Sequence, residues 1–227
     1  MIPIRDAIRS LTSPHVTRIL ILINVVVFFA YWFPDLFGYS YGTLESAIYA
    51  YGLVPNSILR GRNLSTLFTS MFLHADLFHL GGNMLFLYVF GDNVEDTFGH
   101  ARFAIFYFAS GIMASLAHIW SLLYFGNLQE LRVVTIGASG AISGILGAYL
   151  VLYPRARILT LVLLGWITIV AIPAVIFLGL WFAFQFLYGT LLSPYAGGVA
   201  YWAHIGGFVV GLVFGAFGRG RRRKREF

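Results

Sequence analysis

Four polar side chains that can take part in catalysis lie in otherwise apolar parts of the sequence. His79 and Asn83 are one helical turn apart, Ser139 stands in the run Gly-Ala-Ser-Gly, and His204 stands in the run Ala-His-Ile-Gly-Gly. Polar side chains at membrane depth are costly and usually functional. A serine beside a histidine can act as a nucleophile with a general base, which later returns the proton to the leaving group. We therefore predict Ser139 and His204 as a catalytic dyad.

The same residues offer donors for the oxyanion of an acyl-transfer reaction. A helix that begins at Ser139 presents unpaired backbone N–H groups and the positive end of its dipole. His79 and Asn83 project from one helical face and can also donate hydrogen bonds. We predict that the Ser139 N–H, His79 and Asn83 stabilise the transition state. We predict a dyad rather than a triad, because no Asp or Glu lies near His204 or at its expected depth.

Each of these residues also has a plainer interpretation, which the sequence leaves open. A serine at the start of a helix is commonly an N-cap. His204 could be a packing histidine, and His79 and Asn83 could bridge two helices. The sequence has no cysteine and no His-Glu-x-x-His motif, and His74 and His79 are not spaced as a helical ligand pair. We expect neither a metal nor a cofactor.

The composition indicates a membrane protein. Of the 227 residues, 59% are hydrophobic and 11% are charged, whereas soluble domains have about 25% charged residues. The apolar runs are long and do not alternate, which favours helices over a membrane barrel. We predict an all-α membrane protein, a bundle of six transmembrane helices that forms a single domain over 1–227. The predicted spans are 17–34, 77–94, 102–124, 139–153, 173–189 and 201–218.

Two segments do not fit simple spans. The stretch 158–192 has no formal charge, and Pro173 in its middle is suited to the first turn of a helix. We therefore begin the fifth helix at Pro173 and expect a buried loop or interfacial segment over 158–172. The outer connection 38–76 mixes apolar and polar residues, and we expect an amphipathic insertion in the outer leaflet.

The positive charges predict the orientation. With six spans and both termini in the cytoplasm, twelve of the fifteen Lys and Arg residues lie on inner segments, six of them in the basic tail 219–227. This agrees with the positive-inside rule. The tail is thus a topology signal, and we expect no nucleic-acid partner despite the net charge of +6.

The helices place the candidate residues at one depth. With a rise of about 1.5 Å per residue, His79, Ser139 and His204 each lie roughly 22 Å from the inner end of their helix. In a core of about 30 Å they are then about 8–9 Å below the outer surface. Small residues at spacing four allow two membrane helices to approach closely. We predict this packing for Gly140 and Gly144, with Ala148, on the fourth helix and for Gly207, Gly211 and Gly215 on the sixth.

These motifs resemble the rhomboid family of intramembrane serine proteases, over roughly 17–218. The matching runs are His74 to Asn83, Gly137 to Gly140 and Ala203 to Gly207, and Glu95 matches a structural acid of the family. The resemblance implies cleavage of single-pass membrane proteins in or near their transmembrane segments by Ser139 and His204. It also implies that the fifth helix and the loop 190–201 gate the entry of substrate and water. The prokaryotic branch is the most similar, which predicts a prokaryotic cell membrane.

The sequence departs from the family at two places. Ser65 and Thr66 stand where many relatives have a Trp-Arg pair before the second helix. Ser143 stands where some relatives have an aromatic residue that stacks on the histidine. The second departure leaves open how His204 is held.

Three functions follow as alternatives. The first is a serine protease, whose partners are transmembrane substrates and the lipid bilayer. The second is a non-catalytic membrane protein of the same fold that binds such substrates. The third is a transporter or channel with a histidine proton relay. The retention of Ser139 and His204 disfavours the second, and the scarcity of buried acids disfavours the third. The oligomeric state is left open.

Overall fold

Six long helices dominate the computed structural model, which describes residues 1–39, 42–126, 128–164, 166–191 and 198–225. Each predicted span falls on one helix. The helices are α1 (His15–Leu36), α5 (Leu77–Phe98), α6 (His100–Phe125), α7 (Ser139–Leu152), α8 (Ala174–Leu191) and α9 (Tyr201–Arg225). By length and composition, α1, α6, α8 and the Tyr201–Gly218 part of α9 can each cross a membrane. The predicted membrane-embedded, mainly helical character is thus confirmed.

The connection that we predict to be outer contains three short helices. These are α2 (Thr43–Tyr51), α3 (Pro55–Leu59) and α4 (Thr66–Thr69), followed by a 3-10 turn at Ser70–Phe72. The backbones of Leu53 and Thr135 exchange hydrogen bonds of 3.0 and 2.8 Å, so this connection is tied to the loop that leads into α7. The amphipathic insertion remains a prediction, since no membrane is present.

The fold is not entirely α-helical, because a three-stranded antiparallel sheet forms where a loop was expected. The strands β1 (Ile2–Asp6), β2 (Arg157–Leu164) and β3 (Trp166–Pro173) lie in the order β1-β2-β3. The prediction of a buried loop over 158–172 was wrong, while the alternative of an interfacial segment stays a prediction. The run is rich in Ile, Val and Thr and is interrupted by one glycine at position 165, a composition that favours a hairpin. Pro173 ends β3, and α8 begins one residue later.

A buried carboxylate anchors the sheet to the helices. Asn93 Nδ2 of α5 donates a hydrogen bond of 2.8 Å to Asp6 Oδ2, and the Tyr149 hydroxyl of α7 donates to the same oxygen. Asp6 is 7% exposed. Burial raises the pKa of Asp6 from 3.8 to about 6, and the nearby charge of Asp92 adds to this.

This raised pKa predicts that Asp6 stabilises the folded protein more at pH 4 than at pH 7. Because the folded form holds the Asp6 proton more tightly than the unfolded form, the stabilisation is present at low pH and is lost as pH rises through about 6. A shift of this size corresponds to at most about 3 kcal/mol. Thermal unfolding in detergent at both pH values should show that the stability of the wild type relative to Asp6→Asn falls between pH 4 and pH 7. The same stability difference at both pH values would contradict the role of Asp6.

A second buried acid ties α1 to α5. Glu95, which is fully buried, accepts hydrogen bonds from the backbone N–H groups of Val16 (2.9 Å) and Thr17 (2.8 Å) and from the Thr17 hydroxyl (2.7 Å). These N–H groups lie in the first turn of α1, where the helix itself has no acceptors for them. A carboxylate at a helix N-terminus also interacts favourably with the helix dipole.

Helices α7 and α9 pack with their backbones in contact. A Cβ atom added to Gly207 would overlap the carbonyl oxygen of Gly140, and one added to Gly211 would overlap that of Gly144. A Cβ at Gly215 would lie 3.0 Å from Ala148 O. Both glycine series therefore face each other, and the close approach brings the N-terminal ends of α7 and α9 together.

Candidate active site

Ser139 is the first residue of α7 and follows a glycine with an unusual conformation. Gly137 has φ = 117°, which side chains other than glycine rarely adopt, and its N–H donates to Ser70 O at 2.9 Å. This turn directs the chain into α7 so that the Ser139 side chain stands at the positive end of the helix. Ser139 is half-buried.

His204 lies in the first turn of α9 and contacts the serine directly. Its Nε2 atom is 2.8 Å from Ser139 Oγ, within hydrogen-bonding distance. The two residues are 65 positions apart in sequence and come together through the α7–α9 contact. This arrangement allows the imidazole to take the hydroxyl proton, the geometry that a nucleophile and its general base need.

The other side of His204 contacts α8, and the sequence alone does not predict this contact. His204 Nδ1 lies 2.8 Å from Gln185 Oε1. The Trp181 ring, one turn earlier, lies 5.9 Å from the imidazole centroid at an angle of 35°. Ser143 instead donates a hydrogen bond of 2.7 Å to Ser139 O within its own helix. One signal in the sequence pointed to Gln185, since it is the one Asn, Gln, His or charged residue in α8.

His79 and Asn83 lie beside the serine on α5, but they differ in their contacts. His79 packs against the backbone of Gly137, where an added Cβ would lie 2.8 Å from His79 Nε2. Asn83 Nδ2 donates to His79 O, one turn earlier, at 2.9 Å. Asp76 caps this helix by accepting the His79 N–H at 2.8 Å. His79 is thus close to the predicted oxyanion position, while the Asn83 amide is engaged within its own helix.

Two cavities border the dyad. One of about 470 Å³ is lined by His79, Ser139 and His204 together with the loops at 134–137 and 198–200. The other, of about 250 Å³, lies between α5, α7 and α8 and is lined by the same three residues with Asn83, Trp181 and Gln185. Ser139 therefore lines both cavities. Residues 192–197, in the predicted gating loop, lie outside the described residues.

Metal ligation has no support in the part of the chain that the structure describes. Within those residues, no group of three or more His, Asp or Glu side chains is arranged to hold a metal ion. His74 and His79 are neighbours, with ring centroids 4.9 Å apart, but Asp76 serves as the cap of α5.

Comparison with known families identifies the fold. The family model of the Rhomboid domain matches residues 61–221, which is more than half of the chain. The chain belongs to the rhomboid family. The matched part of this rhomboid includes α5 to α8 and most of α9, and so contains all four candidate site residues.

Individual relatives of this rhomboid come from bacteria, fungi and plants. Rhomboid protease GluP of Bacillus subtilis is 32% identical over 91% of this chain and 37% of its own. Rhomboid protein 1, mitochondrial, of Saccharomyces cerevisiae is 34% identical over 64% of this chain and 39% of its own. Inactive RHOMBOID-like protein 8 of Arabidopsis thaliana is 34% identical over 51% of this chain and 30% of its own. The chain thus spans between 30% and 39% of the length of these relatives.

Proposed function

We propose that this rhomboid is an intramembrane serine endopeptidase that cleaves single-pass transmembrane proteins in or near their membrane segments. The observation that supports this most directly is the 2.8 Å contact between Ser139 Oγ and His204 Nε2. The similarity to Rhomboid protease GluP is consistent with it.

In the proposed reaction, His204 Nε2 accepts the hydroxyl proton while Ser139 Oγ attacks the scissile carbonyl carbon. The carbonyl oxygen becomes an oxyanion beside the Ser139 N–H, the end of the α7 dipole and His79. The intermediate then collapses, and His204 returns the proton to the leaving amine. Water then attacks the acyl-enzyme while His204 Nε2 accepts a proton from it. When the ester bond breaks, His204 returns this proton to Ser139 Oγ, which restores the hydroxyl.

Asn83 remains a predicted second donor to the oxyanion. In the structure its amide donates to His79 O, so its contribution requires that this bond be exchanged or shared when substrate binds. Apo geometry of this kind does not exclude a catalytic donor, because such hydrogen bonds commonly form in the substrate complex.

We further propose a topology of six spans with both termini in the cytoplasm, in one domain over 1–227. The helix α7, with 14 residues, is too short for a full span of about 20 residues. A short helix is consistent with a serine that must lie below the membrane surface and still meet water. The prokaryotic cell membrane also remains a proposal, because the relatives include a mitochondrial protein.

A non-catalytic role is the second candidate, since one relative is named as inactive. A cleavage assay distinguishes the two. The purified protein is reconstituted in liposomes with a single-pass substrate that has small residues in its transmembrane segment, and the products are identified by mass spectrometry. We expect cleavage within or near that segment by the wild type and none by Ser139→Ala. If a panel of such substrates is bound but never cleaved, the non-catalytic role is the better description.

A further inference from the structure

Gln185 is the one Asn, Gln, His or charged residue of α8, a predicted membrane helix in which most residues are apolar or aromatic. It lies in the run Leu-Trp-Phe-Ala-Phe-Gln-Phe-Leu-Tyr of α8. A polar side chain in such a helix is costly unless it has a partner. Its partner in the structure is the Nδ1 atom of His204, at 2.8 Å. Because Gln185 and His204 lie on different helices, this contact does not arise from local sequence.

The contact has a direct consequence for the protonation of His204. A neutral imidazole carries one proton, on either Nδ1 or Nε2, and a side-chain amide oxygen can accept a hydrogen bond but not donate one. With Gln185 Oε1 against Nδ1, the proton is held on Nδ1. Nε2 then has a free lone pair that faces Ser139 Oγ, 2.8 Å away. This is the tautomer that a general base for Ser139 requires.

We propose that Gln185 is a positioning residue that orients His204 and selects its reactive tautomer. The inference rests on the proposed Ser139–His204 chemistry. In serine proteases with a triad, a carboxylate performs this task and also stabilises the imidazolium that forms. Gln185 supplies a neutral acceptor in the same position, which avoids a buried negative charge within the membrane.

Helix α8 then holds the histidine through two side chains. Trp181 and Gln185 are four residues apart and so project from one face of the helix, and the Trp181 ring lies against the imidazole. These two contacts hold the imidazole in place, as an aromatic residue at position 143 does in some relatives. This sequence has a serine at that position. The pair also couples the position of α8 to the reactivity of His204, because a displaced α8 would withdraw both contacts.

The alternative is that Gln185 merely joins α8 to α9. Gln185→Leu removes the acceptor, and Gln185→Met does so with the side-chain length kept. Phe186→Leu, at a neighbouring residue that is 50% exposed, is a matched control. The variants are compared in liposomes by kcat, KM and the rate at which a fluorophosphonate probe labels Ser139, and thermal unfolding is followed in parallel.

We expect Gln185→Leu and Gln185→Met to lower kcat and the labelling rate about tenfold, the value of one lost hydrogen bond. KM should change less than about twofold, because a contact to the general base acts on the chemical step. Phe186→Leu should retain wild-type rates within about threefold. Wild-type rates for the Leu and Met variants would overturn the inference, as would an equal loss in Phe186→Leu. Failure of the dyad itself is distinguishable, since wild type and Ser139→Ala would then react equally.

Discussion

Replacing Ser139 by alanine is expected to reduce kcat by about 10⁵–10⁶, and adding His204→Ala to that variant is expected to change nothing further. The two side chains act as one unit, because the imidazole has no proton to accept once the hydroxyl is gone. In soluble serine proteases, removing either the serine or the histidine costs about as much as removing the whole catalytic group. The 2.8 Å contact between Ser139 and His204 predicts the same lack of additivity.

The measurement compares kcat for the two single variants and the double variant in liposomes. Ser121→Ala is a suitable control, because Ser121 is a buried serine of α6 whose hydroxyl donates a hydrogen bond to His118 O within that helix. That variant should cleave at the wild-type rate. If the two single losses multiply in the double variant, Ser139 and His204 contribute independently, which is incompatible with a shared proton.

The second large effect is expected at Gly211, where α7 and α9 touch. In Gly211→Val, the new side chain would overlap the Gly144 carbonyl oxygen and approach Ala148 N. Backbone atoms cannot move aside as a flexible side chain can, so the helices must separate. We expect a loss in the free energy of unfolding of more than about 3 kcal/mol, at the upper end for overpacked interiors. Activity should fall as well, because this contact brings Ser139 to His204.

Gly179→Val is the matched control for this prediction. Gly179 lies on α8, and an added Cβ would meet nothing within 4 Å. The same change in side chain at the two positions thus separates the clash from the loss of a helical glycine. Unfolding in detergent micelles or bicelles measures both variants. Equal stabilities for the Gly211 and Gly179 variants would show that the close approach is not required.

The sequence predicts the helices well because a membrane span has a simple physical signature. Every backbone group must be satisfied within lipid, so a long apolar run becomes a helix, and each of the six predicted spans coincides with one. The stretch after α7 was harder, because an uncharged run of β-branched residues suits a buried strand as well as a buried helix. The pairing with Ile2–Asp6, more than 150 residues away in sequence, favours the strand over the helix. A local pattern in the sequence does not contain this information.

The candidate site was also predictable from the sequence only in part. The rise per residue placed Ser139 and His204 at one depth, and the glycine series indicated that their helices could touch. The contacts of Trp181 and Gln185 with His204 could not be predicted from helix rise or glycine spacing. Depth follows from position along a helix, but the rotation of α8 about its axis depends on packing, and α8 has apolar residues on every side. The local bond of Asn83 to His79 was likewise not foreseen.

The three-stranded sheet imposes an order on biogenesis. β1 leaves the ribosome before any of the helices, whereas its partner β2 follows α7. While the intervening helices enter the membrane, the hydrogen-bonding edge of β1 has no strand to join. The hydrogen bond from Tyr149 to Asp6 also cannot form until α7 has been synthesised, shortly before β2. The sheet can therefore be completed only after α7, the helix that carries Ser139, has been synthesised.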